Sequence, residues 1–341
     1  MARSSETWIT PGAGHVKFDS RNRNVSGPLL YLSPMALSLQ FLGTSAARPT
    51  VERNVACIAL MREGESFLFD CGEGTQRQMM RFGVTFAIDD VFFTHFHTDH
   101  LLGIVGLLRT MSLLGRTDAI RLWGPRGAER VLRRAESFGS ERLAFTTEIR
   151  ELAPGEKVER KEYAIQAFEL EHRGPPSIGY ALIESQRRGR FNPDLARELG
   201  VPEGPLWGRI HKGEAVTLED GRVIEPAQLV GKTRPGRRIV ITGDSRPCAA
   251  TILAAEGADL LVHEATFGDE EAARAVETGH STAREAAHVA KMAGVKRLVL
   301  THVSARYTRD AAELEAEART VFADTKVAKD GMEVAVGFGE E

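Results

Sequence analysis

The chain has 341 residues, 42% of them hydrophobic, which is enough for one large domain or two modest ones. A formal net charge of −3 provides no global basic field, so any nucleic-acid binding has to come from a local patch. Cys57, Cys71 and Cys248 are scattered and form no CxxC pair, which excludes a disulfide framework and a cysteine zinc site and points to reduced thiols in the cytoplasm. No apolar run reaches the ~20 residues of a membrane span. The stretch GPLLYLSPMALSLQFLG is broken by Pro34 and Gln40 and lies too far along the chain for a signal core.

Residues 1–34 are polar, turn-rich and without periodicity, and read as a disordered extension or an over-long start. From Met35 the pattern becomes regular. ALSLQFLG is a strand; NVACIALM and SFLFDCG are paired strands about the turn Glu63–Gly64; EGTQRQMMRFG is a helix ended by Gly83. VFFTH is a short buried strand, LLGIVGLLRTMSLL a helix, AIRLWG a strand and PRGAERVLRRAESFG an amphipathic helix. EYAIQAFELEH and SIGYALIE are strands. From Ser185 to about Arg237 the texture turns Gly-, Pro- and Arg-rich, with apolar content too thin for a core. RRIVITGD then restores the alternation, followed by DLLVHEATF, the helix STAREAAHVAKMAGV, the strand opening RLVLTHVSARY and the helix DAAELEAEARTVF. Strands that alternate with helices predict an α/β layered domain whose strand ends feed the site loops.

Between VFFT and the following helix stands HFHTDH, with three histidines and an aspartate in six positions. His95 and His97 alternate with Phe96 and project to one side of an extended segment; Asp99 and His100 fall on the turn into the helix. Imidazole nitrogen and carboxylate oxygen suit zinc at ~2.0–2.2 Å. A solvent-facing polar loop is the bland reading, and the apolar flanks speak against it. Three further residues end strands: His172 after AIQAFELE, Asp244 after RIVITG and His302 after RLVLT. Each alone is weak, since Asp after Gly is often a turn former. Together they reach one sheet edge, and their number exceeds one closed site, which predicts two ions with an open position for water.

THFHTDHLLG resembles the HxHxDH signature of the metallo-β-lactamase fold. FLGTSAARPTVERN, FDCGEGTQRQMMR, VHEATF, GHSTAREAA and LTHVSARY make the chain, from Met35 onward, similar to the ribonuclease Z family of tRNA 3′-processing endonucleases. The resemblance implies an αββα four-layer sandwich over residues 35–341, with two Zn2+ per subunit at one edge of the sheets. It implies that His95, His97 and His172 hold one ion, that Asp99, His100 and His302 hold the other, and that Asp244 bridges. Manganese or iron suits the same N/O ligands. Two metals ~3.5–4 Å apart can activate a water and clamp the phosphate of an in-line displacement. Asp99 is expected to accept the proton of that water. His280 in GHST, oriented by Glu264, is expected to protonate the leaving 3′-oxygen or touch the phosphate; GHST also reads as a helix start capped by Ser281 or Thr282.

The family carries a flexible Gly–Pro-rich arm that grips tRNA, and GVPEGPLWGRIHKG resembles it, placing the arm at residues 185–236 with Arg187, Arg188, Arg190, Arg209 and Lys212 against RNA phosphates. PTVERN resembles a family loop that senses the tRNA 3′ end: Arg53 and Asn54 match, but Val51 stands in place of a lysine, which puts discrimination of CCA ends in question. Ser304 and Arg306 either contact the phosphate beside the cut or, for Arg306, pair with an acidic neighbour. The expected activity is zinc-dependent removal of the 3′ trailer from precursor tRNA by a cytoplasmic homodimer, leaving a tRNA 3′-hydroxyl and a trailer 5′-phosphate. The alternatives are a hydrolase of small phosphodiesters, sulfate esters or lactones, and an RNA-binding scaffold on an inactive hydrolase fold.

Overall fold

The computed structural model describes residues 37–140, 142–307 and 311–339; the extension expected over residues 1–34 lies outside them. The chain begins with β1 (Leu37–Gly43), β2 (Cys57–Arg62), β3 (Glu65–Phe69), β4 (Asp90–Phe92), β5 (Ile120–Gly124) and β6 (Thr147–Glu151). Then come β7 (Lys157–Glu159), β8 (Tyr163–Glu169) and β9 (Ile178–Glu184), and a small hairpin of β10 (Val216–Thr217) and β11 (Val223–Ile224). The last group is β12 (Arg238–Ile241), β13 (Leu260–Glu264), β14 (Leu298–Thr301), β15 (Thr325–Val327) and β16 (Glu333–Ala335). They build two mixed sheets, ordered β16-β1-β2-β3-β4-β5-β6 and β15-β14-β13-β12-β9-β8-β7.

Period-two alternation decides how the sheets stack. In β1, Leu37, Leu39 and Phe41 face the second sheet and share one core with Tyr180, Ile239 and Val262. The opposite faces meet helices. Leu42, Ala59 and Val91 pack under α1 (Thr75–Phe82), α3 (Gly103–Leu113) and α4 (Ala128–Glu136); the one-turn α2 (Thr98–Leu101) precedes α3. Three more helices, α5 (Pro193–Glu198), α6 (Pro205–His211) and α7 (Pro226–Leu229), fall between β9 and β12. On the second sheet, Ala181, Val240 and Leu261 pack under α8 (Ala249–Ala254), α10 (Ala283–Ala293) and α11 (Ala312–Arg319), with α9 (Ala272–Thr278) between α8 and α10 in the chain. The layers are helix, sheet, sheet, helix, as the resemblance implies. No helix among the described residues is long and apolar enough to cross a membrane.

The segment expected to lack a core has one. Ala196, Val201, Ile210, Val216, Leu218, Ile224 and Leu229 form a separate buried cluster, closed by Phe191 packed at a tilt against Trp207 with ring centroids 5.3 Å apart. Its helices are short but well started. Asn192 caps α5 with Pro193 next to it, Pro205 opens α6, and Glu225 with Gln228 boxes α7. Strong caps and prolines let a few apolar side chains suffice.

Candidate metal centre

The carboxyl ends of the strands in both sheets open onto one edge, and every predicted ligand follows such an end. β4 leads to His95 and His97; His97 stands just before α2, whose first turn carries Asp99 and His100. β8 leads to His172, β12 to Asp244 and β14 to His302. Gly243 permits the Asp244 turn to abut the segment that leaves β4, because a Cβ there would lie 2.5 Å from the Thr94 side chain. Three non-glycine residues beside the site, Ala47, Asp70 and His302, sit at φ of 61°, 58° and 56°. Such backbone persists only where its surroundings over-determine it.

The seven side chains come together. His95, His97, His172 and Asp244 form one group, and Asp99, His100 and His302 a second, with ligand atoms in each group within 4.8 Å of one another. His172 Nε2 lies 3.3 Å from His97 Nδ1, and His100 Nε2 lies 3.3 Å from His302 Nε2. Two ligands ~2.0–2.1 Å from one ion at a tetrahedral angle stand ~3.3–3.4 Å apart, so the spacing fits a shared cation. Asp244 faces both groups: Oδ2 is 3.6 Å from His95 Nε2, and Oδ1 is 3.3 Å from the Nε2 atoms of His100 and His302. His95 Nε2 and Asp244 Oδ1 are buried without a hydrogen-bond partner. Buried polar atoms are rarely left so unless something else binds them. The donor set therefore fits two divalent metals.

The imidazoles are aimed by their other nitrogens, as metal-ligating histidines are. Nδ1 of His95 meets Thr94 Oγ1 at 3.1 Å, His100 Nδ1 meets Asp70 Oδ2 at 2.7 Å, His172 Nδ1 meets the Gly279 carbonyl at 3.0 Å and His302 Nδ1 meets Thr266 Oγ1 at 2.9 Å. Burial drives His95 and His97 toward the neutral form that a metal requires. At His100 burial acts the same way but Asp244 and Asp70 outweigh it and raise its pKa; a field that draws a proton also draws a cation. Asp70 holds Thr94 as well as His100, and sequence reasoning gave it no role. Its signal was present, since it ends the strand SFLFD as the ligands end theirs.

Beside the metal groups, His280 Nδ1 is 2.8 Å from Glu264 Oε1, as expected for an oriented pair. Burial would lower the His280 pKa, but the Glu264 carboxylate and Asp244 raise it to about 9. Glu264 is buried and saturated: Oε1 also accepts from Ser245 N, and Oε2 from Thr266 N and Oγ1. One carboxylate thus ties His280, the turn after Asp244 and the residue that aims His302. The GHST segment also starts α10, with Thr282 as its cap, so the helix-start reading of it holds.

The candidate substrate residues are more dispersed. Arg53 is 4% exposed and its Nη1 donates inward to Thr44 Oγ1 and the Ala328 carbonyl, both at 2.7 Å. Contrary to expectation, this guanidinium braces its loop instead of facing the site. Asn54 Nδ2 donates to the Glu73 carbonyl, while Val51, at the loop tip, is 96% exposed. The same loop reaches the metal groups through its backbone, since Ala47 N–H donates to Asp99 Oδ2 at 2.8 Å. Ser304 is half-buried, and Arg306 pairs with Glu271 and stacks over Phe267, the acidic-partner alternative. Arg188, Arg190, Arg209 and Lys212 are exposed on the segment between β9 and β12, where Arg209 pairs with Glu214; Arg187 lies at its root.

The Beta-lactamase superfamily domain model matches residues 65–233 and 227–303. A ribonuclease Z of Gemmatimonas aurantiaca is 64% identical over 308 residues, covering 90% of this chain and 98% of its own. One from Myxococcus xanthus is 54% identical over 299 residues, covering 87% and 97%. The chain belongs to the ribonuclease Z family. The crystal structure of human tRNase Z, short form, superposes with a TM-score of 0.64 at 29% identity, covering 88% of this chain and 100% of that one. The ribonuclease Z motifs read from the sequence and the layered fold they implied are both borne out.

Proposed function

We propose that the protein is a zinc-dependent endoribonuclease that removes the 3′ trailer of precursor tRNA, leaving a 3′-hydroxyl on the tRNA and a 5′-phosphate on the trailer. The observation that carries the reading is Asp244, one carboxylate presenting an oxygen to each of two histidine groups, in a chain 64% identical to a ribonuclease Z. His95, His97 and His172 would hold one zinc, Asp99, His100 and His302 the other, with Asp244 between. When bound, such a pair supplies Lewis-acid activation of water and neutralises charge on the phosphate.

The protein's own groups complete the chemistry. Burial would raise the Asp99 pKa, but His302 and His100 hold it well below the usual carboxylate range, so Asp99 is ionised at neutral pH, the form needed to orient the water and receive its proton. Glu264 takes Nδ1–H of His280 and keeps the ring protonated, which leaves Nε2–H free to be given to the leaving 3′-oxygen. A raised pKa is what a general acid working at neutral pH needs.

The basic segment between β9 and β12 serves as the tRNA-gripping arm. It leaves the sheet at Glu184 and returns at Arg238, the opposite end of β12 from Asp244, about 20 Å away at strand rise. That separation supports a homodimer in which one subunit's arm serves its partner's site. Met80, Leu113 and Phe138, 61%, 88% and 70% exposed on the adjoining α1, α3 and α4 ends, offer an apolar face for the second copy. The three cysteines are free and buried, as suits a protein working in the cytoplasm.

The test is to incubate the protein with a trailer-bearing precursor tRNA, with and without chelator, and to map the cut end. Cleavage at the trailer junction, abolished by chelator and restored by zinc, is expected. Cleavage that ignores the chelator, or hydrolysis of small diesters alone, would overturn the assignment.

A further inference from the structure

The arm is joined to the sandwich by a thin stem. Two isolated bridges tie its strands, Arg187 with Arg234 and Phe191 with Val230. The strands touch at glycines: a Cβ on Gly189 would lie 1.9 Å from the Gly231 carbonyl oxygen, and one on Gly236 would lie 2.5 Å from those of Glu184 and Ser185. Backbone bonds recur along the stem, from Glu184 N–H to the Arg237 carbonyl at 3.0 Å, both ways between Arg187 and Arg234 at 2.8 Å, and from Gly231 N–H to the Arg190 carbonyl at 2.9 Å. A two-stranded ribbon held this way has no third strand beside it, so side chains that clasp its root help to set where the arm points.

The clasp comes from the far end of the chain. β16 lies on the edge of the first sheet against β1, and Val336 N–H donates to the Leu37 carbonyl at 2.8 Å. Two residues later, the Phe338 ring meets both sides of the stem. The Arg187 guanidinium carbon is 3.5 Å from its centroid and that of Arg237 is 4.1 Å. Arg237 is itself fixed, buried at 2% exposure, with Nε and Nη2 each 2.8 Å from Glu184 and Nη1 3.0 Å from the Val336 carbonyl. The outgoing strand contributes Arg187, the returning strand Arg237, and one aromatic ring rooted on the other sheet holds them together. Guanidinium stacking on an aromatic face is directional, so the ring orients the stem as well as filling space.

We propose that Phe338 is a positioning residue for substrate: it fixes the stance of the arm, and through it the placement of tRNA relative to the metal centre. The inference rests on the reading of the arm as the tRNA grip. It assigns a function to the C-terminal tail, which lies outside the metal centre and the arm alike.

The experiment compares Phe338→Leu, which keeps bulk and loses the π face, with Phe338→Trp, which keeps it. Each is assayed on precursor tRNA and on bis(p-nitrophenyl) phosphate, a diester too small to reach the arm. Phe338→Leu is expected to raise KM for precursor tRNA about fivefold or more, with kcat and small-diester turnover unchanged, and Phe338→Trp to restore the wild-type KM. A wild-type KM in Phe338→Leu overturns the inference, as does a parallel loss of small-diester turnover, which would assign the ring to general packing. Wild-type protein that hydrolyses the small diester but not precursor tRNA overturns the functional reading itself, and the inference with it.

Discussion

Replacing Asp70 with Asn changes one atom and tests the second layer of the metal centre. Asp70 Oδ1 accepts from Thr94 N at 2.8 Å, Thr94 Oγ1 lies 2.9 Å from Oδ2, and Oδ2 takes His100 Nδ1–H at 2.7 Å. Asn tolerates the left-handed backbone at this position, so the fold is not strained by the change. The amide then has two ways to sit, and both cost. If its NH2 faces His100, two donors meet, and the imidazole must move its proton to Nε2, the atom that faces the second metal group. If it faces Thr94 instead, the buried Thr94 N–H loses its acceptor, at about 1–3 kcal/mol of stability. Loss of an outer partner of a metal-ligating histidine weakens metal binding about 10–100-fold, roughly 1.4–2.7 kcal/mol. Calorimetric titration of chelator-stripped protein with zinc reads the first outcome, and thermal melting of the same protein reads the second. Wild-type zinc affinity together with a wild-type Tm in Asp70→Asn would refute the reasoning.

Further outcomes follow from the same contacts. Glu264→Gln removes the charge that keeps His280 protonated; kcat on precursor tRNA should fall about 10²-fold or more while KM holds, and an unchanged kcat would remove His280 from the role of general acid. Joining Gly189 to Gly231 by two glycines excises an arm that has its own core, so the sandwich should remain folded and hydrolyse small diesters, while kcat/KM on precursor tRNA drops about a hundredfold as phosphate contacts are lost. Equal loss on both substrates would count against the arm. Glu184→Gln takes the carboxylate from buried Arg237 and leaves buried Arg62 with only Glu63 and Glu162, and should cost about 3–5 kcal/mol, read as a Tm lowered by roughly 10 °C. Burial alone would raise the Glu184 pKa, but Arg237 and Arg62 hold it below the ordinary range. Its contribution is therefore complete above the unfolded value of ~4.3 and is lost as pH falls through the folded one. The difference in stability between wild type and variant should narrow in that acid window, and a constant difference would refute the pairing.

What the sequence made legible was the chemistry that few residue types can perform. Divalent metals draw on few residue types, here His and Asp; four of them follow β4 and one each follows β8, β12 and β14, so the seven candidate ligands could be gathered before any coordinates. Three kinds of feature escaped. The edge strands β6, β7, β15 and β16 are TEIRE, KVE, TKV and EVA, short and charged, and they form because a neighbour's backbone pairs with them rather than because of their own pattern. The arm's core escaped because its seven buried side chains are spread from Ala196 to Leu229, which no local periodicity reports. Arg53 was assigned to substrate because PTVERN resembles a loop that senses the tRNA 3′ end; its burial depends on Ala328, 275 residues away. The contacts that tune the centre are harder still. The Ala47 amide on Asp99 and the Gly279 carbonyl on His172 are backbone groups that every residue but proline carries in full, so their placement leaves no trace in composition. Ligand identity in such a site is therefore written in side chains, whereas ligand aim is written in the path of the chain, and Phe338, where tail and arm meet, belongs to the second class.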